Sequence, residues 1–186
     1  MENTDADALT LRKNLKFEID ENRLLFSLSL EGDDTGSRIE EKALGEGFKR
    51  QNERHVTILG GATKKLLKNE LAKLPEDERA KKLSEIKTLL ESLSWDFSPG
   101  EIYKVQKEGV FGDSNIIEQR QSYICMLDMP DMEIFYAQLN ALTGAHLPVQ
   151  VPHITLFTKG EGENPDYQGF PISSMEDFNT MHPEHE

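Results

Sequence analysis

Residues 54–61 read Arg54-His55-Val56-Thr57-Ile58-Leu59-Gly60-Gly61, and Pro152-His153-Ile154-Thr155-Leu156 later repeats their central pattern of His, apolar, Thr, apolar. Both stretches are rich in β-branched residues, and Gly60-Gly61 supplies a stop, so each reads as a short strand. Side chains two apart on a strand share a face. Each motif therefore puts an imidazole beside a hydroxyl on one face. Val56 and Ile58, or Ile154 and Leu156, then fall on the opposite face, toward a core.

Working outward, Leu24 to Leu30 alternates and predicts a strand ahead of the first motif. Gly32–Gly36 reads as a loop, followed by a charged helical or irregular stretch through Arg50. From Ala62 to Leu93 the apolar residues Leu66, Leu67, Leu71, Leu74, Leu83, Ile86, Leu89, Leu90 and Leu93 recur at three and four. That spacing predicts two helices, broken near Pro75, whose ring cannot sit in a helix interior. Strands are expected over Ile102–Gln106 and Gln121–Leu127, then a helix from Pro130 capped by Gly144, then a strand from Val149 to Thr158. Strands and helices mixed without an even βαβ rhythm predict an α+β fold with a largely antiparallel sheet.

The chain has 186 residues, about one ordinary domain, with 37 % apolar residues, enough for a core without a disulfide or metal. Its 34 acids against 21 Lys and Arg give a net charge of −13, which argues against a nucleic-acid coat or an anionic-membrane binder. Seven of those acids (Glu161, Glu163, Asp166, Glu176, Asp177, Glu184, Glu186) fall within 161–186, where there is no Lys or Arg. The expected organisation is a flexible N-terminal tail over 1–16, a folded domain over 17–160 and an acidic C-terminal segment over 161–186. The acidic start has no basic n-region or apolar h-region, and no apolar run reaches about 20 residues. A cytoplasmic, membrane-free monomer is the expectation. The one cysteine, Cys125, alternates with apolar neighbours and reads as a core thiol.

Two imidazoles and two hydroxyls around one cavity suit phosphodiester cleavage. One imidazole accepts a proton from the attacking oxygen and the other gives one to the leaving oxygen. The hydroxyls of Thr57 and Thr155 donate to the phosphate oxygens where charge builds. With ten threonines in the chain, Thr falls two after a given His about one time in twenty, so two such pairs among five histidines arise by chance at roughly the 2 % level. Apolar residues at both flanking positions lower that further.

Twin His-x-Thr-x motifs on two strands resemble the 2H phosphoesterase superfamily, which includes the LigT-like RNA 2′,3′-cyclic phosphodiesterases. The likeness spans about residues 23–160. It implies a bilobal, pseudo-twofold α+β fold: two mostly antiparallel sheets with flanking helices, and a central cleft that takes one motif from each lobe. It also implies metal-independent, cofactor-free hydrolysis of a 2′,3′-cyclic phosphate or a 2′-linked phosphodiester. His55 and His153 would be the acid–base pair, and Thr57 and Thr155 the phosphate binders. Which histidine is base and which acid stays open, as does the substrate. The acidity of the chain favours a small nucleotide or an RNA end. Some domains of this kind bind nucleotides as regulatory modules with little catalysis, and that is the alternative reading.

Lys159, Tyr123 and Phe157 are further candidates for substrate contact, with Tyr103, Phe111 and Trp95 as other possible stacking rings. Core packing is the better account of each aromatic, and a solvated strand end that of Lys159. His146 is expected to be exposed. His182 and His185, with a proline between them, do not read as a metal pair. No His-Glu-x-x-His spacing supports a metallohydrolase.

Overall fold

The structure, a computed structural model, describes residues 12–19, 24–31, 36–111, 117–160 and 169–186. It is an α+β fold built on one antiparallel sheet. Strands β1 (Arg12–Ile19), β2 (Leu24–Glu31), β3 (Lys49–Arg50), β4 (Arg54–Thr57), β5 (Ser98–Val110), β6 (Ile117–Asp128), β7 (His153–Lys159) and β8 (Glu184–His185) are joined by helices α1 (Glu40–Gly45), α2 (Gly61–Leu71), α3 (Glu76–Ser92), α4 (Pro130–Thr143) and α5 (Met175–Thr180). The strand order is β1-β2-β4-β7-β6-β5-β8, with β3 beside β7. The two expected sheets are thus continuous, because β4 and β7 pair directly at Val56 and Ile154. Among the described residues no helix is long and apolar enough to cross a membrane.

Local signals mark the start of α3 and both ends of α4. Pro75 stands just before α3, whose first turn carries Glu76, Asp77 and Glu78 against the positive end of the helix. Pro130 opens α4 at a position where its missing N–H costs nothing, and Gly144 closes it at φ 71°, donating its N–H to the Asn140 carbonyl at 2.8 Å. These helices cover one face of the sheet. Phe26, Leu28, Val56, Cys125, Ile154 and Leu156 meet Leu67, Leu71, Ile86, Leu90, Phe135 and Leu139 in the main core. The buried Tyr136 hydroxyl donates to the Ile58 carbonyl at 2.9 Å, fixing the exit of β4 against α4.

Three boundaries differ from the sequence reading. Arg12–Lys16, expected to be frayed, lie in β1 and pair along β2; residues 1–11 lie outside the described part. The last long strand begins at His153, not Val149, because Pro152 has no N–H to give the ladder. β5 and β6 form a long hairpin that overruns both expected strands.

The C-terminal segment is no solvated appendage over its described part, 169–186. Phe170, Ile172, Phe178 and Met181 pack on Val105, Ile124 and Val151 in a second core on the sheet face opposite the helices. β8 then pairs with β5. Asp177 is held below the usual carboxylate range by hydrogen bonds from Ser173 and by Lys107, against the opposing effect of burial. Residues 161–168, including Glu161, Glu163 and Asp166, lie outside the described part, as do 32–35 of the expected loop. Four apolar residues of 169–186, Phe170, Ile172, Phe178 and Met181, turn toward the sheet, while Met175 stays exposed.

Ile172→Ala tests this packing. Ile172 is fully buried, so the change is expected to lower the free energy of unfolding by about 2–5 kcal/mol. Urea denaturation measures it; a segment lying free in solvent would show no change.

Candidate active site

The two motifs meet across the β4–β7 pair. With Val56 opposite Ile154, counting outward in opposite directions sets His55 opposite Thr155 and Thr57 opposite His153. Directly opposed residues have Cβ atoms about 5 Å apart. The pair is therefore a local twofold arrangement, with each imidazole facing the other strand's hydroxyl. Val56 and Ile154 are fully buried beneath it. On the flanking strands, Ser27 and Ser29 of β2 lie opposite Thr57 and His55, and Met126 and Ile124 of β6 opposite His153 and Thr155.

His55, Thr57, His153 and Thr155 line one cavity of about 380 Å³. Its other walls are Gln51, Glu53 and Leu59 near β4, Gly60, Gly61 and Lys64 at the start of α2, Gln150, and Gly169-Phe170-Pro171 from the C-terminal segment. The second core covers the sheet toward β5, and Gly169, Phe170 and Pro171 of the same described stretch border the cavity. Among the described residues no cluster of three or more His, Cys, Asp and Glu could hold a metal ion.

The two histidines occupy unlike surroundings. His55 is exposed. His153 is 8 % exposed, and its Nδ1 lies 2.8 Å from the Val151 carbonyl oxygen. A carbonyl only accepts, so Nδ1 carries the hydrogen and the neutral ring keeps its lone pair at Nε2. Burial pushes the His153 imidazole below its ordinary value; the Val151 carbonyl opposes this, and the charge of His55 adds to it. His153 is thereby held neutral and oriented.

The other candidates do not line this cavity. Tyr123 and Phe157 are fully buried in the main core. The register shift between β6 and β7 puts Leu156 and Phe157 both on the core side, which strict alternation from His153 cannot foresee. The Tyr123 hydroxyl donates to Glu46 at 3.0 Å. Lys159 donates to the Glu46 backbone carbonyl at 2.8 Å and stands 5.6 Å from the Phe48 ring centroid. These two side chains pin α1 to the sheet. Tyr103 packs edge-on to Phe178 and His185, and Phe111 against Phe170. Trp95 is buried, its indole N–H on the Leu90 carbonyl at 2.8 Å. Cys125 is buried and His146 exposed, as expected. His185 pairs with Glu101 at 2.5 Å.

Glu53, Lys64, Gln150 and Phe170 escaped the sequence reading. Glu53 had a signal, since it precedes His55 by two, the same spacing that relates His55 to Thr57. Lys64 had a weaker one, in the first turn after a Gly-Gly helix start. Gln150 and Phe170 had none.

The depressed His153 fixes a pH effect on stability. Near and below pH 6.5 the unfolded chain binds a proton at this position that the folded chain binds less readily. Its contribution is full above about pH 6.5 and declines as the pH falls through that value. Urea unfolding of wild type between pH 7 and 5 should show a loss of stability that is smaller in His153→Gln; equal slopes would contradict the assignment. Comparison with protein-family models, with curated proteins and with solved structures finds no match to this chain.

Proposed function

We propose that the protein is a phosphodiesterase that hydrolyses a 2′,3′-cyclic phosphate, or a 2′-linked phosphodiester, in a nucleotide or at an RNA end. The observation that carries this reading is the β4–β7 pair: two imidazoles and two hydroxyls related by a local twofold axis on one cavity wall, with one imidazole buried and the other exposed. The arrangement agrees with what the resemblance to 2H phosphoesterases implies. The unlike surroundings of the two histidines support an assignment of the roles that the sequence leaves open.

His153 is the base. Its Nε2 takes the proton from the attacking water as the new P–O bond forms. His55 is the acid, standing where its protonated form keeps its hydration, and it gives a proton to the ribose oxygen as that P–O bond breaks. Thr57 and Thr155 donate hydrogen bonds to the non-bridging oxygens, whose charge rises in the transition state. Water plus cyclic diester gives a phosphate monoester and a free hydroxyl. The proton that His153 gains and the one that His55 loses are exchanged with solvent before the next turnover.

The test is a panel of 2′,3′-cyclic mononucleotides, 2′–5′ and 3′–5′ oligonucleotides and ADP-ribose cyclic phosphate, with products read by phosphorus NMR in the presence of EDTA. Turnover of a cyclic or 2′-linked member is expected, and no turnover of any of them would overturn the proposal.

His55→Ala and His153→Ala should each lower kcat/KM by about 100- to 10,000-fold. The double variant should be little worse than the worse single one, because the two groups act on one phosphate. The pH profile of kcat/KM should be bell-shaped. Its acidic limb should lie below pH 6.5, since activity is lost only as His153 takes up a proton at its lowered pKa. Full activity in either single variant would end the two-histidine mechanism.

A further inference from the structure

A second cavity, of about 480 Å³, lies at the end of β6, and none of His55, Thr57, His153 and Thr155 lines it. Its walls are the last residues of β6, the first turn of α4, residues 149–152 and Met175 at the start of α5. The Leu127 amide donates to the Pro152 carbonyl at 3.0 Å, which ties two of these walls together. Gln150 lines both this cavity and the one at the histidines. It is 1 % exposed and its Nε2 donates to the Ile172 carbonyl at 2.5 Å, so a fixed side chain stands in the wall that the cavities share. A volume of this order suits a small organic molecule.

The lining is mostly apolar and unusually rich in sulfur. Met126, Met129, Met132 and Met175 all line the cavity, four of the six methionines in the chain. Met129 and Met132 are buried in the main core, Met126 packs against the second core, and Met175 is 53 % exposed. The thioether is flexible and polarisable, adapts its shape to a guest and makes favourable contacts with aromatic rings. Val149, like Met175, is a large apolar residue left exposed, and it lines the same cavity. Apolar side chains open to water around one concavity favour an apolar guest.

The charge of the cavity has one sign. Asp128, the last residue of β6, and Glu133, in the first turn of α4, line it and are exposed, while no Lys, Arg or His does. Asp131, between them in the chain, has a structural use, accepting from the Ser94 hydroxyl at 3.0 Å and the Trp95 amide at 2.7 Å. Among the described residues Asp128 and Glu133 have no such side-chain bond. The acids of the first turn also outweigh the positive end of α4, which amounts to about half a charge. Two carboxylates beside low-dielectric walls repel an anion and draw in a cation.

We infer that this cavity is a binding site for a small organic cation, an aromatic body carrying an alkylammonium group. The ring lies among the methionines, and the ammonium meets Asp128 and Glu133. The site is distinct from the histidine cavity, and the inference does not rest on the phosphodiesterase reading.

The experiment is an NMR titration of the full chain, labelled with carbon-13 at the methionine methyls, at pH 7. The probes are 4-phenylbutylamine, 4-phenylbutan-1-ol and 4-phenylbutyrate, which share one apolar body and differ in the charge of the head. The amine should shift the Met126, Met129, Met132 and Met175 methyls saturably and leave that of Met181, fully buried in the second core, in place. It should bind about tenfold more tightly than the butyrate, with the alcohol between them, because the ammonium gains two partly exposed ion pairs where the carboxylate meets repulsion. In the double variant Asp128→Asn, Glu133→Gln the amine and the butyrate should bind within about threefold of each other. Both positions are exposed, so an unchanged Tm is expected there. The wild-type panel decides the class without any variant. No saturable shift with the amine, equal shifts at Met181, or an alcohol or butyrate that binds as tightly as the amine would each overturn the inference. So would a well-folded double variant that keeps the full preference for the amine.

Discussion

The pairing of Val56 with Ile154 is the contact on which the rest of the molecule depends. It joins β1, β2 and β4 to β7, β6, β5 and β8 in one sheet, and it sets the register in which the two motifs face each other. A strand has a side-chain period of two, so a slip of one residue in either strand would turn its histidine and threonine into the core. The buried pair prevents that slip, because Val56 and Ile154 have nowhere else to go without exposing apolar surface. Burial of two small aliphatic side chains thus holds four polar ones in place on the opposite face.

An antiparallel pair with matched sequences is symmetric, yet acid–base chemistry needs its two groups to differ. The difference comes from what lies beyond the pair. On the β7 side, the backbone of Val151 takes the His153 Nδ1 hydrogen, and Gln150 ties the same stretch to Ile172 of the C-terminal segment. His153 is buried by this arrangement, while His55 is left on the exposed side. The described part of the C-terminal segment covers the Val105 and Ile124 part of the sheet, and its Phe170 lines the cavity. Gly169, Phe170 and Pro171 of the acidic C-terminal segment are in this way part of the candidate site.

Sequence alone was sufficient for the motifs, for their placement on strands, for the two helices parted at Pro75 and for the helix that Gly144 ends. These features follow from local rules: period two, period near 3.6, and the fixed φ of proline or the freedom of glycine. The same rules sufficed to group His55, Thr57, His153 and Thr155, because two identical patterns point to one shared use. Tertiary structure alone decided the rest. Which strands are neighbours depends on pairings between residues far apart in the chain, as with Val56 and Ile154, and no local pattern encodes a partner. The bulge that buries Phe157, the removal of Lys159 and Tyr123 to Glu46, and the arrival of Gln150 and Phe170 at the cavity all depend on that choice. The unequal surroundings of His55 and His153 do too, since burial and hydrogen-bond partners are properties of assembled elements and two like motifs read alike until they are packed.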